Sequence, residues 1–350
     1  MKKLNFAYPG DIDTPTGGYG YDRKIITGLR DLGWQVDLVS LGEGFPLPDQ
    51  ATLDEAQKRL TRLPHGEALV IDGLAFGVMA EAAAVLADQL DLVALVHHPL
   101  CRETSLSPET AAALQESERK ALSFTNHIIV TSHATATQVM DLFDVPEQDI
   151  SVVLPGTEKP AMVDRAERES LRLLSVGTVV PRKGYDLLFS ALETLKEYDW
   201  HLDVVGGTDA DTGCYRLLQA QLADLVLTER VTFHGAVAPE ELSGFYGNAD
   251  VFVLASRYEG YGMAYTEALA HGLPVIGSGG GAVADTLPEG AAIYCGTEDV
   301  GKLRAALELL IQDNAKREEM AMAGARAASA LPDWMDAATE FASALERTKK

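Results

Sequence analysis

Short apolar runs alternate with stretches of helical length along this chain, and the series occurs twice. In the first half the runs are Leu4–Tyr8, Gln35–Ser40, Ala68–Asp72, Leu92–His97, His127–Thr131 and Ile150–Leu154. The second half starts again with Arg172–Val176, His201–Val205, Val231–His234, Val251–Leu254, Pro274–Ser278 and Ala292–Cys295. Helical patterns such as Asp22–Leu32 and Pro108–Ser123 lie between them. Strands that alternate with helices build a parallel sheet covered on both faces. Two such series in 350 residues predict an α/β protein of two doubly wound, Rossmann-like domains.

The seam is expected at Leu154-Pro-Gly-Thr-Glu-Lys-Pro160, where proline and glycine punctuate the chain. That predicts a first domain over 1–160 and a second over 161–334. A last helix over 335–350, after Leu331-Pro-Asp-Trp334, is expected to cross back and complete the first domain. In open parallel sheets ligands sit beyond the carboxyl ends of the strands, so a cleft between two facing sheets is the expected site.

Charge narrows the partners. Twenty-nine Lys and Arg against 52 Asp and Glu give a formal net charge of −23, with no basic arm. Nucleic acid is therefore excluded as a general partner, and any bound anion needs a local, preorganised site. Cys101, Cys214 and Cys295 are scattered, odd in number and in no metal-ligand spacing, which fits small core residues in a reducing, cytoplasmic setting. No secretory signal follows the opening Met-Lys-Lys, and no uncharged run of 18 apolar residues could cross a membrane. Peripheral membrane contact is possible but not indicated: Pro108–Asn126 holds Arg119 and Lys120 against Glu109, Glu116 and Glu118.

The most informative stretch runs from Ser256 to Val275: Ser-Arg-Tyr-Glu259-Gly-Tyr-Gly-Met-Ala-Tyr-Thr-Glu267-Ala-Leu-Ala-His-Gly-Leu-Pro-Val. It follows a buried strand, opens on glycines and continues as a helix, whose N-terminal amides form an anion site. Either glutamate alone would be read as offsetting the helix dipole. The whole string instead resembles the Glu-x7-Glu signature of retaining glycosyltransferases of family 4, which have the GT-B fold.

The resemblance implies that Glu259 binds hydroxyls of the transferred sugar and Glu267 the ribose of the nucleotide. The amides of Tyr261, Gly262 and Met263 would meet sugar and diphosphate. A second segment, Leu173-Leu-Ser-Val-Gly177-Thr-Val-Val-Pro-Arg182-Lys183-Gly184, looks like the place where this family sets two cations on the donor diphosphate. Fixed cations there stabilise the negative charge that grows on the departing group.

Thr14-Pro-Thr-Gly17-Gly18-Tyr-Gly20 is similar to the family's Gly-Gly loop. It is not the Gly-x-Gly-x-x-Gly dinucleotide fingerprint. His97, in Val96-His97-His98-Pro99, matches a histidine that hydrogen-bonds the transferred sugar, although a one-residue slip would substitute His98. Phe233-His-Gly-Ala-Val237 resembles the turn that meets the nucleotide base through its backbone. Gly279-Gly-Gly-Ala-Val-Ala-Asp285 departs from the family's Gly-Gly-x-x-Glu turn and leaves that turn without an assigned role.

Asp11-Ile-Asp13 and Asp209-Ala-Asp211 imitate a metal-diphosphate motif of another glycosyltransferase fold and are read as loop carboxylates. No metal and no cofactor are expected, the nucleotide-sugar being a substrate. Met320 and Met322 are read as helix packing. The resulting expectation is a retaining glycosyltransferase that carries a sugar, from a UDP-sugar by preference, to an unidentified saccharide, lipid-linked or small-molecule acceptor by front-face substitution. The alternatives are a nucleotide-sugar epimerase of the same architecture and a non-catalytic nucleotide-sugar-binding protein.

Overall fold

A computed structural model describes residues 2–160 and 170–347. It divides into two compact units. The first is Met1–Thr14, Gly18–Gly156 and Pro332–Lys350; the second is Pro15–Gly17 and Thr157–Leu331. The seam thus lies at 156/157 on the way out and 331/332 on the way back, where 160/161 and 334/335 were expected. Residues 161–169, next to the expected boundary, and 348–350, the end of the last expected helix, lie outside the described residues.

In the first unit β1 (Lys3–Tyr8), β2 (Gln35–Ser40), β3 (Ala68–Asp72), β4 (Asp91–Val96), β5 (His127–Val130) and β6 (Ile150–Val152) form one parallel sheet in the order β2-β1-β3-β4-β5-β6. The runs of β3, β4 and β5 are buried on both faces, as a sheet sandwiched between helices requires. Helix Trp334–Arg347 belongs to this unit and buries Ala337, Ala338, Phe341, Ala342, Ala344 and Leu345. Gly28 admits it closely, since a Cβ there would lie 2.4 Å from that of Ala338.

The second unit holds β7 (Leu171–Val176), β8 (Trp200–Val205), β9 (Val231–Gly235), β10 (Val251–Leu254), β12 (Val275–Gly277) and β14 (Ala292–Tyr294), in the order β14-β12-β10-β7-β8-β9. Side chains alternate between two cores. Leu173, Val251 and Val253 enter one with Phe189 and Trp200; Leu174, Phe252 and Leu254 enter the other with Tyr265 and Leu269. A separate two-stranded ladder pairs β11 (Tyr258–Glu259) with β13 (Gly280–Gly281), a pairing absent from the expected strands.

Some of the acidity is consumed locally. Asp49, Asp72, Asp211, Asp299 and Asp313 each accept an amide of the helix that follows. Asp211, half of one imitation metal motif, is thereby a helix cap, and Asp11 accepts the Asp13 amide within its own turn. Met320 is 1% exposed in the core, whereas Met322 is 59% exposed, which corrects its reading as packing: two residues along a helix turn a side chain to the opposite face.

Each sheet reverses its order once, between β1 and β3 in the first unit and between β7 and β10 in the second. Loops diverge at those two points and leave a crevice at the carboxyl ends of the strands. The candidate residues gather there.

Candidate functional site

In the second unit the crevice lies between the ends of β7 and β10. Past β7 the chain passes Gly177 and enters a short turn, Pro181–Lys183. Gly184 closes that turn at φ +63, and a Cβ on it would meet the Ala255 carbonyl at 1.9 Å. At Gly177 a Cβ would lie 3.0 Å from Lys183 Cε, so the lysine stem lies along bare backbone. The Arg257 amide donates to the Arg182 carbonyl at 2.8 Å and ties the loop after β7 to the loop after β10.

Those ties bring Arg182, Lys183 and Glu259 together. Lys183 Nζ lies 2.6 Å from Glu259 Oε1, and Arg182 Nη1 lies 3.5 Å from Oε2 and 3.1 Å from the Tyr258 carbonyl. Ser256 Oγ donates to Glu259 Oε1 at 2.5 Å. Glu259 is 6% exposed. Burial works against its charge, yet Lys183 and then Arg182 outweigh burial and hold the carboxyl below its ordinary range. The glutamate is therefore an anion that holds two cations in place.

The glycine turn whose role the sequence left open supports this carboxylate. Gly280 N–H donates to the Arg257 carbonyl and Ala282 N–H to the Glu259 carbonyl, both at 2.9 Å. A Cβ on Gly281, at φ +72, would meet the Glu259 carbonyl at 2.1 Å. The run thus serves as the strand that fixes Glu259. Asp285 lies in the short helix behind it, Val283–Thr286.

Gly262, at φ +94, starts helix Met263–Ala270, with Tyr261 before it and Met263 as its first residue. The Tyr261 carbonyl accepts from Thr286 Oγ1 at 2.7 Å, which fixes the loop ahead of the helix. Glu267, half-buried just over one turn along, accepts a hydrogen bond from the Tyr246 hydroxyl at 2.7 Å. Tyr246 is buried and stacked on His271, with ring centroids 4.8 Å apart. Burial, and then Glu267, push its phenol well above the usual range, so the hydroxyl stays a donor. Val237 follows β9 and is partly buried against the core of Tyr246 and Phe252.

Sequence reasoning missed several supports here: Ser256, Tyr246 and Arg257. Arg257 grips Asp186 through both terminal nitrogens at 2.9 and 2.7 Å, bonds Glu298 at 2.7 Å, and donates to the Pro181 carbonyl. Its signal lay in the quoted string, one residue after Ser256, but Asp186 and Glu298 are remote in sequence.

In the first unit Gly18 lies in the first turn of helix Gly17–Asp31. Gly17 opens that helix and is grouped with the second unit. His97 directly follows β4, one residue beyond the strand end, and its carbonyl accepts from the Thr131 and Thr135 hydroxyls. A Cβ on Gly18 would lie 3.6 Å from the His97 ring, whereas His98 faces Glu103 at 3.6 Å. Of the two histidines, His97 is thus the one beside the glycine loop. It contacts two buried carboxylates that sequence reasoning did not select, Asp22 and Asp72. Among the described residues this is the one set of His, Cys, Asp and Glu whose potential ligand atoms lie within 4.8 Å of one another. His97 Nε2 is within hydrogen-bond reach of Asp22 Oδ1 at 3.1 Å and lies 3.4 Å from Asp72 Oδ2.

A family model described as glycosyl transferases group 1 matches residues 161–327. The MMP alpha-(1->4)-mannosyltransferase of Mycolicibacterium hassiacum is 26% identical over 273 residues, 73% of this chain and 65% of the relative. The D-inositol 3-phosphate glycosyltransferase of Xylanimonas cellulosilytica is 28% identical over 287 residues, 75% of this chain and 68% of the relative. The sucrose-phosphate synthase of Thermosynechococcus elongatus superposes with a TM-score of 0.83 at 19% identity, over 99% of both chains, which shows the GT-B fold and nothing beyond it. No helix among the described residues is long and apolar enough to cross a membrane.

Proposed function

We propose, from the premise that the second unit belongs to the group 1 glycosyl transferase family, of the family 4 type, that this chain is a retaining glycosyltransferase using a nucleoside diphosphate sugar. The observation that carries the reading is the buried Glu259 paired with Lys183 and Arg182 at the switch point between β7 and β10.

On this reading the charges of the site are in place before the donor binds. Glu259 keeps both cations aimed at the crevice until a diphosphate arrives. The diphosphate draws Arg182 and Lys183 onto itself, and Glu259 becomes available to accept hydroxyls of the sugar. As the bond to the sugar breaks, the two cations stabilise the negative charge on the departing diphosphate. An oxygen of that diphosphate takes the proton of the incoming acceptor hydroxyl, which attacks from the same face, so configuration is retained. The amides around Gly262 meet the phosphates and Glu267 the ribose. His97 contacts the sugar, and Gly17 and Gly18 let the main chain approach the donor. No metal or cofactor is invoked.

A UDP-sugar is the first donor to try, and the acceptor is a hydroxyl compound of unassigned class. Thermal unfolding in EDTA with UDP, GDP, ADP and dTDP tests the site. A ligand at about 100 times its dissociation constant adds roughly 2.7 kcal/mol of stability. The expected result is stabilisation by one diphosphate, lost in Lys183→Ala and Glu267→Ala, followed by donor consumption that requires an acceptor. Stabilisation by none, or equally in both variants, removes the basis of the proposal. Donor consumption without acceptor would favour the epimerase.

A further inference from the structure

The first sheet carries its own cluster of titratable groups at its own switch point. Asp22 comes from helix Gly17–Asp31, Asp72 ends β3, and His97 follows β4. The carboxylates are 0% and 2% exposed. His97 Nε2 lies 3.1 Å from Asp22 Oδ1 and 3.4 Å from Asp72 Oδ2. Asp72 spends its other oxygen on the Leu74 amide at 2.7 Å, while Asp22 Oδ2 is buried with no hydrogen-bond partner.

Two carboxylates this close, out of water, repel one another unless a cation or a proton lies between them. The imidazole ring supplies it. Further contacts hold the residue. Its carbonyl is held by Thr131 and Thr135, Gly18 leaves room for the ring, and Tyr21 packs edge-on at 5.4 Å and 85°. Among the described residues only Nε2 is bonded, so Nδ1 is the nitrogen left for a ligand, on a side chain 20% exposed.

We propose that Asp22 and Asp72 are positioning residues, which hold His97 through Nε2 as an imidazolium and thereby keep Nδ1–H presented to an oxygen of the transferred sugar. The sugar contact rests on the function proposed above. A neutral imidazole carries one proton; bound by carboxylates at Nε2, it would turn an acceptor towards the substrate. Two carboxylates make the second proton affordable, and Nδ1 becomes a fixed donor.

The charges around the ring agree. Burial disfavours the imidazolium, but Asp22 and then Asp72 outweigh burial and raise the basicity of His97. Burial raises Asp22 itself, against the pull of His97. Neutral polar groups adjoin the cluster: the Thr131 and Thr135 hydroxyls on the His97 carbonyl, and the Tyr19 phenol, which burial and then the Asp72 and Asp22 charges push upward.

The test is ring-nitrogen NMR of the full-length, histidine-labelled chain from pH 6 to 9, with His97 assigned by His97→Gln. Both ring nitrogens of His97 are expected to stay protonated beyond pH 8. In Asp22→Asn or Asp72→Asn the ring should titrate near the ordinary histidine value of about 6.5. Turnover should fall at least tenfold while affinity for the bare nucleoside diphosphate stays unchanged. A wild-type ring that titrates near 6.5, or signals and turnover untouched by both substitutions, would overturn the proposal. So would Mn2+ or Zn2+ displacing the Nε2 proton. The wild-type spectrum needs no variant to fold. If the wild-type chain transfers no sugar, the function fails separately, and the ring signals still decide whether the carboxylates hold His97.

Discussion

Tyr246 shows how a site residue can be silent in sequence. Nothing around Gly-Phe-Tyr-Gly marks it, yet its hydroxyl holds Glu267, 21 residues further on, at 2.7 Å. Tyr246→Phe keeps the ring stacked on His271 and removes only that bond. A hydrogen bond to a charged group contributes about 1.5–3 kcal/mol, so Glu267 should lose much of its fixed aim. The expected outcome is a several-fold fall in the preference for a ribonucleoside diphosphate over its 2′-deoxy analogue, measured by calorimetry. An unchanged preference would remove Tyr246 from the site. Glu259 and Glu267 were singled out by their spacing along one loop and helix, and Arg182 and Lys183 by their place in a second strand-turn-helix. Asp22, Asp72 and Tyr246 were not, because a hydrogen bond across a fold leaves no local pattern; Ser256 lay inside the quoted string, three residues before Glu259, without being singled out.

Among the elements, the turn Pro181–Lys183 depends on Gly184. Alanine there would force a side chain into left-handed backbone and against the Ala255 carbonyl, which it would approach to 1.9 Å. The strain alone costs about 1 kcal/mol, and the backbone clash adds to it. Gly184→Ala should therefore lower the melting temperature and weaken diphosphate binding together; a variant that binds normally would show the loop to be tolerant.

The helix Pro108–Leu122 contributes a different sensitivity. Glu118 is 1% exposed and accepts the Leu100 amide at 2.9 Å, in the turn just after His97-His98-Pro99. Burial raises its carboxyl to about 8, against the opposing Leu100 bond. With a folded value above the unfolded one, its stabilising share is full below about 4.5 and is lost as pH rises through about 8. Glu118→Gln keeps an acceptor for Leu100 and removes the titration. Its melting temperature relative to the wild type should climb between pH 5 and pH 9; a difference constant with pH would contradict the buried-acid account.

At the scale of the whole chain, sequence order and spatial order part company. Pro332–Lys350 ends the chain but belongs to the first unit. Trp334 packs edge-on against Tyr21 at 6.0 Å, Gly156 leaves no room for a Cβ 2.4 Å from the Trp334 amide, and Arg347 donates to Ser151 Oγ at 3.2 Å. Removing residues from Pro332 onward would uncover the surface covered by Phe341 and Leu345, at about 2 kcal/mol or more each. Hydrogen exchange should then show β5 and β6 losing protection ahead of β7 and β10. Equal loss in all four strands would mean that the two units do not unfold as separate cores.

By itself the sequence determined the strands and their doubling, because both follow from a repeat of apolar residues, and it singled out candidate site residues from their spacing along two turns. Strand ends moved by one or two residues, and His97 fell just outside its strand, since a ladder stops where side chains such as Thr131 and Thr135 take over its carbonyls. Only the tertiary structure decided that Glu259 is bonded to the cations it was expected to work beside, that the unassigned glycine run is its supporting strand, and that His97 rests on two buried aspartates. Those are contacts between residues 22 to 77 positions apart. Burial gives them their strength, and burial is a property of the packed chain.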